Sequence, residues 1–100
     1  MVPLASLSRK PSPPTLDARL RAHYPPDARR EGRSGSARVI ARIDPDGVAR
    51  DLRIMSASEP AFGVACRETV AGSRWSSPIG PDGQPVATEV RYRCRFEVER

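Results

Sequence analysis

From Val90 to Glu99 the chain alternates without a break. Val90, Tyr92, Cys94, Phe96 and Val98 take one set of positions, and Arg91, Arg93, Arg95, Glu97 and Glu99 take the other. Side chains of an extended strand point to opposite faces in turn, so this run reads as a long β-strand with one apolar and one charged face. The apolar face has to bury against a second layer.

The rest of the chain supplies that layer. Ala37 to Ile43 alternates as well, with Ala37, Val39, Ala41 and Ile43 on one face and Arg38, Ile40 and Arg42 on the other. Asp44-Pro45-Asp46-Gly47 follows as a turn, because Pro presets φ and Gly takes the positive φ. A return strand is expected from Val48 to Met55, with Val48, Leu52 and Ile54 on one face, completing a β-hairpin. Ser58-Glu59-Pro60 then opens a helix, with Ser58 as the expected cap. Phe62, Ala65, Cys66, Thr69 and Val70 form its apolar stripe, and Gly72 ends it. Trp75 follows as an anchor of the helix end on the sheet, and Gly80-Pro81-Asp82-Gly83-Gln84-Pro85 makes a second tight turn. Upstream, Thr15 is the expected cap of a short helical turn carrying Leu16 and Leu20, and the run from Tyr24 to Gly32 reads as a second short helix, with Pro26 in its first turn and Gly32 just past its end. The order is α-β-β-α-β. It predicts an α+β fold in two layers, a three-stranded antiparallel sheet with a helix packed on one face.

Length allows one domain, with a modest core. Three prolines in four positions at Pro11-Ser12-Pro13-Pro14 forbid regular structure, so residues 1–14 read as a Pro/Ser-rich linker or tail and residues 15–100 as the folded domain. No stretch approaches the roughly 20 apolar residues that cross a bilayer. Met1 to Leu7 lacks the charged start and long apolar centre of a signal peptide. The chain as read is soluble, and a membrane anchor of any parent protein is expected outside it. The net charge is +5, with ten Arg/Lys against five Asp/Glu in residues 1–50 and seven of each in residues 51–100. That surplus suits an acidic partner, an anionic lipid surface or nucleic acid.

Candidate chemistry is sparse. The chain has one histidine, His23, beside a pair of prolines, where a solvated turn residue is the expected role. Gly32-Arg33-Ser34-Gly35-Ser36 is not a nucleophile elbow, because it precedes a strand instead of joining strand to helix, and it lacks the lysine of a phosphate loop. Asp44 and Asp46 flank a turn proline and offer too few oxygens for calcium. His23 cannot complete a zinc site with Cys66 and Cys94. No enzymatic activity, cofactor or metal is therefore expected. Cys66 falls on the helix stripe and Cys94 on the inward strand face. An oxidising compartment would join them, closing a loop of nearly thirty residues, and a reducing one would leave two buried thiols. Arg91, Arg93 and Arg95 share the charged side of the last strand, about 7 Å apart. Such a face serves either as a solvated surface that discourages aggregation or as a surface for acidic partners. A sheet that reads nucleic acid interleaves aromatics to stack bases. Tyr92 and Phe96 fall on the opposite, core-facing side, which argues against nucleic acid.

Several short motifs, taken in order, carry a resemblance. Tyr24-Pro25-Pro26-Asp27-Ala28-Arg29, Gly35-Ser36-Ala37-Arg38-Val39, Asp44-Pro45-Asp46-Gly47-Val48, Ser56 to Phe62, Arg74-Trp75-Ser76-Ser77-Pro78, Asp82-Gly83-Gln84-Pro85-Val86 and Cys94-Arg95-Phe96 resemble successive landmarks of the TonB C-terminal domain family. The match runs from about Tyr24 to Val98. It implies a periplasmic, non-enzymatic domain of a protein anchored in the inner membrane, where motor proteins act on the missing N-terminal part. It implies coupling of inner-membrane energy to outer-membrane transporters, or a scaffold role in another envelope machine for motility or secretion. The partner implied is an outer-membrane TonB-dependent receptor, whose TonB-box peptide adds as a strand beside the last strand. Here that strand offers Val90, Arg91, Tyr92, Arg93, Cys94, Arg95 and Phe96. The family also touches receptors just before its Tyr-Pro pair, which places Arg21, Ala22, His23 and Tyr24 as further contact residues. Paired cysteines are not part of the general pattern and point to a subfamily. An open edge leaves both a monomer and a strand-exchanged dimer possible.

Overall fold

The structure, a computed structural model, describes residues 1–98. Glu99, the last charged residue of the alternating run, lies outside the described residues. A short 3-10 turn at Leu4–Ser6 precedes two short helices, α1 (Asp17–Ala22) and α2 (Pro26–Arg30). Strands β1 (Gly35–Ile43) and β2 (Ala49–Ala57) form the hairpin, followed by helix α3 (Pro60–Val70) and strand β3 (Thr88–Phe96). The sheet is antiparallel, in the order β2-β1-β3. The helices pack on it, and α3 lies chiefly over β1 and β2 while α1 reaches both α3 and β3. This is the α+β architecture expected.

β1 occupies the centre because its inward residues are small or β-branched and fully apolar. Ala37, Val39, Ala41 and Ile43 are all buried, as are Phe62, Ala65, Cys66, Thr69 and Val70 of the α3 stripe. The hairpin turn closes where the sequence places it, with the Gly47 amide donating to the Asp44 carbonyl at 2.8 Å. Gly47 holds φ at +85°, and a Cβ there would come within 2.1 Å of the Trp75 carbonyl oxygen. Both facts demand glycine. The Trp75 amide donates to the Gly47 carbonyl at 2.7 Å, so the chain leaving α3 is stitched to the turn.

Four details differ from the sequence expectation, each for a local reason. β2 starts and ends later than Val48–Met55 and carries two register shifts against β1. Between Ile40↔Arg53 and Arg42↔Arg50 it has one residue more than β1, and Asp51 there sits at φ +52°. That is a β-bulge, which alternation alone does not reveal. Ser58 does not cap α3; Glu59 precedes the helix, without a side-chain cap. The Ser58 hydroxyl instead accepts the Ser36 amide at 3.0 Å, closing the open end of the hairpin. Thr15 likewise caps nothing, and Leu16, buried, stands at the head of α1. The last strand begins two residues before Val90 and ends at Phe96.

Apart from the 3-10 turn, residues 1–12, whose composition reads as a linker, are extended and laid along the domain. Val2 donates to Ala87, Ser8 donates to Ile79, and Ser12 and Ser76 exchange bonds. Pro11 is buried. Proline-rich chain cannot supply a full ladder of donors, but its extended shape suits an irregular strap whose remaining amides find loop carbonyls.

Candidate functional site: the free edge of β3

The two outer strands present different edges. The first part of β2 is covered by the chain after α3, where Ala49 bonds to Ser73 and Gly72 bonds back to Ala49. The remainder is bulged, a feature that blunts strand edges against pairing. β3 pairs with β1 through nine consecutive partners without a shift, from Gly35↔Phe96 to Ile43↔Thr88. Among the described residues, no backbone hydrogen bond from outside the sheet reaches Thr88–Phe96. The strap runs beside its lower end: Val2 bonds to Ala87 and accepts the Thr88 hydroxyl at 2.7 Å, and Met1 to Leu4 line a shallow groove with Glu89, Val90 and Arg91. Arg91 to Phe96 is thus a regular template about 20 Å long, with outward N–H and C=O groups on alternate residues.

The inward side of β3 is held firmly. Cys94 is joined to Cys66 of α3, with their Cα atoms 5.6 Å apart. Helices usually ride nearer 10 Å above a sheet; the small buried residues Ala37, Ala41 and Ala65 leave the room for this closer approach. Phe96 packs in an aromatic cluster with Phe62 at 5.3 Å and Tyr24 at 5.5 Å between ring centres. The Phe62 ring covers Gly35 so closely that any Cβ there would meet it at 2.3 Å. The Tyr24 hydroxyl donates to the Arg33 carbonyl, and the Arg29 guanidinium lies over its ring at 5.3 Å. Tyr92 meets Trp75 edge to face at 6.0 Å, and the Trp75 indole donates to Ser73 at 2.9 Å. Partial burial pushes the Tyr92 phenol above its ordinary pKa, and the nearby Asp17 carboxylate adds to the effect.

These contacts place the sequence-predicted residues as follows. Arg21 and Tyr24 come together with Arg95 and Phe96, lining one shallow groove beside Asp17, Leu20 and Glu97. Ala22 is exposed, and His23 is turned away from the groove, its Nδ1 against the Arg19 carbonyl at 2.9 Å. Val90 and Cys94 are buried beneath the edge, whereas Arg91, Arg93 and Arg95 are exposed on the sheet face away from α3, which the N-terminal residues reach only as far as Arg91. Among the described residues no group of three or more His, Cys, Asp or Glu could hold a metal ion, and no helix is long and apolar enough to cross a membrane.

Sequence reasoning missed an ionic network at the hairpin end. Arg42 bonds Asp44 at 2.7 Å and also reaches Asp51, while Arg50 bonds Asp44 at 2.6 Å and Asp46 at 3.1 Å. The guanidiniums hold both turn carboxyls below the usual carboxylate range, Arg42 most strongly at Asp44 and Arg50 at Asp46. The signal was present as three aspartates and two arginines between Arg42 and Asp51, but only the bulge at Asp51 brings the last of them round.

An open antiparallel sheet with helices on one face, one blunted edge and one regular edge defines the class: a small α+β domain whose accessible feature is a strand edge. Residues 21–98 match the family of the Gram-negative bacterial TonB protein C-terminal region, and the chain belongs to that family, one of periplasmic transducer domains that are not enzymes. It is similar to the solution structure of the Pseudomonas aeruginosa TonB C-terminal domain, with 25% identity and a TM-score of 0.66 over 100% of this chain and 96% of that one. No curated protein matches the sequence.

Proposed function

We propose that this domain binds an extended segment of an outer-membrane TonB-dependent receptor by strand addition along β3. The contact is centred on Arg91–Phe96 and flanked by the groove at Arg21 and Tyr24. The observation that supports it most is the contrast of edges: the outer edge of β3 is regular and, among the described residues, without a backbone partner, whereas β2 is bulged and partly covered. Backbone pairing of this kind draws its affinity from main-chain hydrogen bonds. In the full-length protein the domain would be tethered to the inner membrane and coupled there to motor proteins, so that the added strand links the two membranes. Nucleic acid is disfavoured, since Phe96 is buried and Tyr92 is turned onto Trp75, leaving no stacking platform among the arginines.

An amide-shift titration with TonB-box-like peptides from receptors of the same organism tests this reading. Shifts concentrated on Val90–Phe96 and Arg21–Tyr24 are expected. Silence at β3 across a broad panel, with the domain folded, would refute strand addition and direct attention to a scaffold role in another envelope assembly.

A further inference from the structure

The sheet face away from α3 is unevenly charged. At the hairpin end Arg42 and Arg50 are matched by Asp44, Asp46 and Asp51, and Arg53 is matched by Glu89 at 3.0 Å. At the other end the balance fails. Arg38 of β1 stands directly opposite Arg93 of β3, and Arg91 and Arg95 flank Arg93 on the same face. Among the described residues Arg38, Arg91 and Arg93 make no ion pair, and Arg95 reaches only Glu97, at 3.7 Å between two exposed side chains. Like charges placed opposite each other on paired strands destabilise a sheet. An anionic neighbour would reverse that cost, and the vacant place is on the outer side of β3.

We infer that the strand which adds to β3 carries acidic side chains at alternate positions, facing Arg91, Arg93 and Arg95. This rests on the strand-addition reading above and specifies the chemistry of its partner. A strand paired to β3 repeats its side chains with the same two-residue period, so one alternate set falls on the arginine face whether it runs parallel or antiparallel. The other set falls beside Tyr92 and the α1 side of the sheet, where apolar residues fit. The preferred segment is an acidic–apolar alternation of about six residues, the length of the template from Arg91 to Phe96. Three exposed cross-strand pairs, each worth about a factor of two, multiply to roughly tenfold in affinity at low salt.

The test uses the whole chain and three synthetic nine-residue peptides with valine and threonine at the intervening positions. One has glutamate at three alternate central sites, one glutamine and one lysine. Binding is followed by the amide shifts of Arg91–Phe96. Expected is about tenfold tighter binding of the glutamate peptide than of its glutamine analogue, with the lysine peptide weakest. The preference should shrink in 0.5 M salt, about three times the ionic strength at which the screening length is 8 Å. It should also largely vanish in Arg91→Gln/Arg93→Gln, with melting curves confirming that this variant is folded. Equal binding of the glutamate and glutamine peptides at β3 overturns the inference and leaves strand addition standing. Shifts confined to Arg38 and Ile40 overturn it in favour of adsorption of acidic chains on the sheet face. No shift at β3 with any peptide overturns both.

Discussion

Replacing both cysteines by alanine isolates what the bond between α3 and β3 contributes. The bridge joins positions 28 residues apart. In the chain-entropy account, closing a loop of that size removes enough freedom from the unfolded chain to stabilise the folded one by about 3.5 kcal/mol. For a domain near 100 residues that corresponds to a fall of roughly 15 °C in melting temperature. Alanine avoids burying two hydroxyls, but it leaves sulfur-sized voids under β3, each costing on the order of 1 kcal/mol. The wild-type chain under strong reductant keeps both sulfurs and so separates the crosslink from the packing. Urea unfolding of the oxidised, reduced and Cys66→Ala/Cys94→Ala forms gives the comparison. Losing the crosslink expands the unfolded ensemble, so the midpoint should fall while the slope of stability against denaturant rises. A midpoint that falls with an unchanged slope would place the effect in the folded state. No change on reduction would refute the account altogether. Both sulfurs are fully buried, so reduction should also require unfolding and proceed no faster than the chain opens.

Gly47→Ala should destabilise the domain by more than about 1 kcal/mol, because it forces a Cβ into the Trp75 carbonyl at positive φ; shifted Trp75 fluorescence in the folded state would accompany the lower melting temperature. Asp44 and Asp46 have folded-state pKa values below their unfolded ones, so their contribution is present above the ordinary carboxylate range and is lost as pH falls below about 4. The wild type should therefore lose stability more steeply on acidification than Asp44→Asn/Asp46→Asn, and parallel pH curves for the two would contradict this assignment. Removing residues 1–12 should speed hydrogen exchange at the Ser76 and Ile79 amides, which donate to Ser12 and Arg9, while the amides of β1 stay protected.

The elements with strict periodicity were legible in advance. The α3 stripe from Phe62 to Val70 and the alternation of β1 and β3 bury the residues their pattern selects, Tyr92 and Val98 only in part, because burial on one face is what the pattern encodes. The hairpin turn was equally legible, since Pro45 and Gly47 encode backbone angles directly. The bulges of β2 were not. Arg50 to Met55 mixes charge with branched residues, and a left-handed Asp51 costs little enough for tertiary packing to choose it. Capping failed for a related reason. Ser58 and Thr15 have the right chemistry, but Ser58 is claimed by the Ser36 amide, a partner 22 residues away that local reading cannot weigh. The strap was hidden by composition, which reports that residues 1–14 form no regular structure and says nothing of what an irregular chain can lie upon. For the candidate site, periodicity found both faces of β3 but not its position at the end of the sheet. That position follows from the β2-β1-β3 order, a property of pairing and not of any one strand.

The crosslink at Cys94 also determines where mechanical load can go. Tension arriving along β3 from a paired strand would strain its bonds to β1 together, in shear, because the ladder runs without a break. A sideways pull would instead peel β3 away from one end, one bond at a time. Cys94 faces Ala37, two pairs in from the Gly35↔Phe96 end, so peeling from that end is halted there by a covalent bond unless α3 is dragged along with it. The strand with the accessible edge is thus the one whose attachment to the rest of the domain does not depend on hydrogen bonds alone.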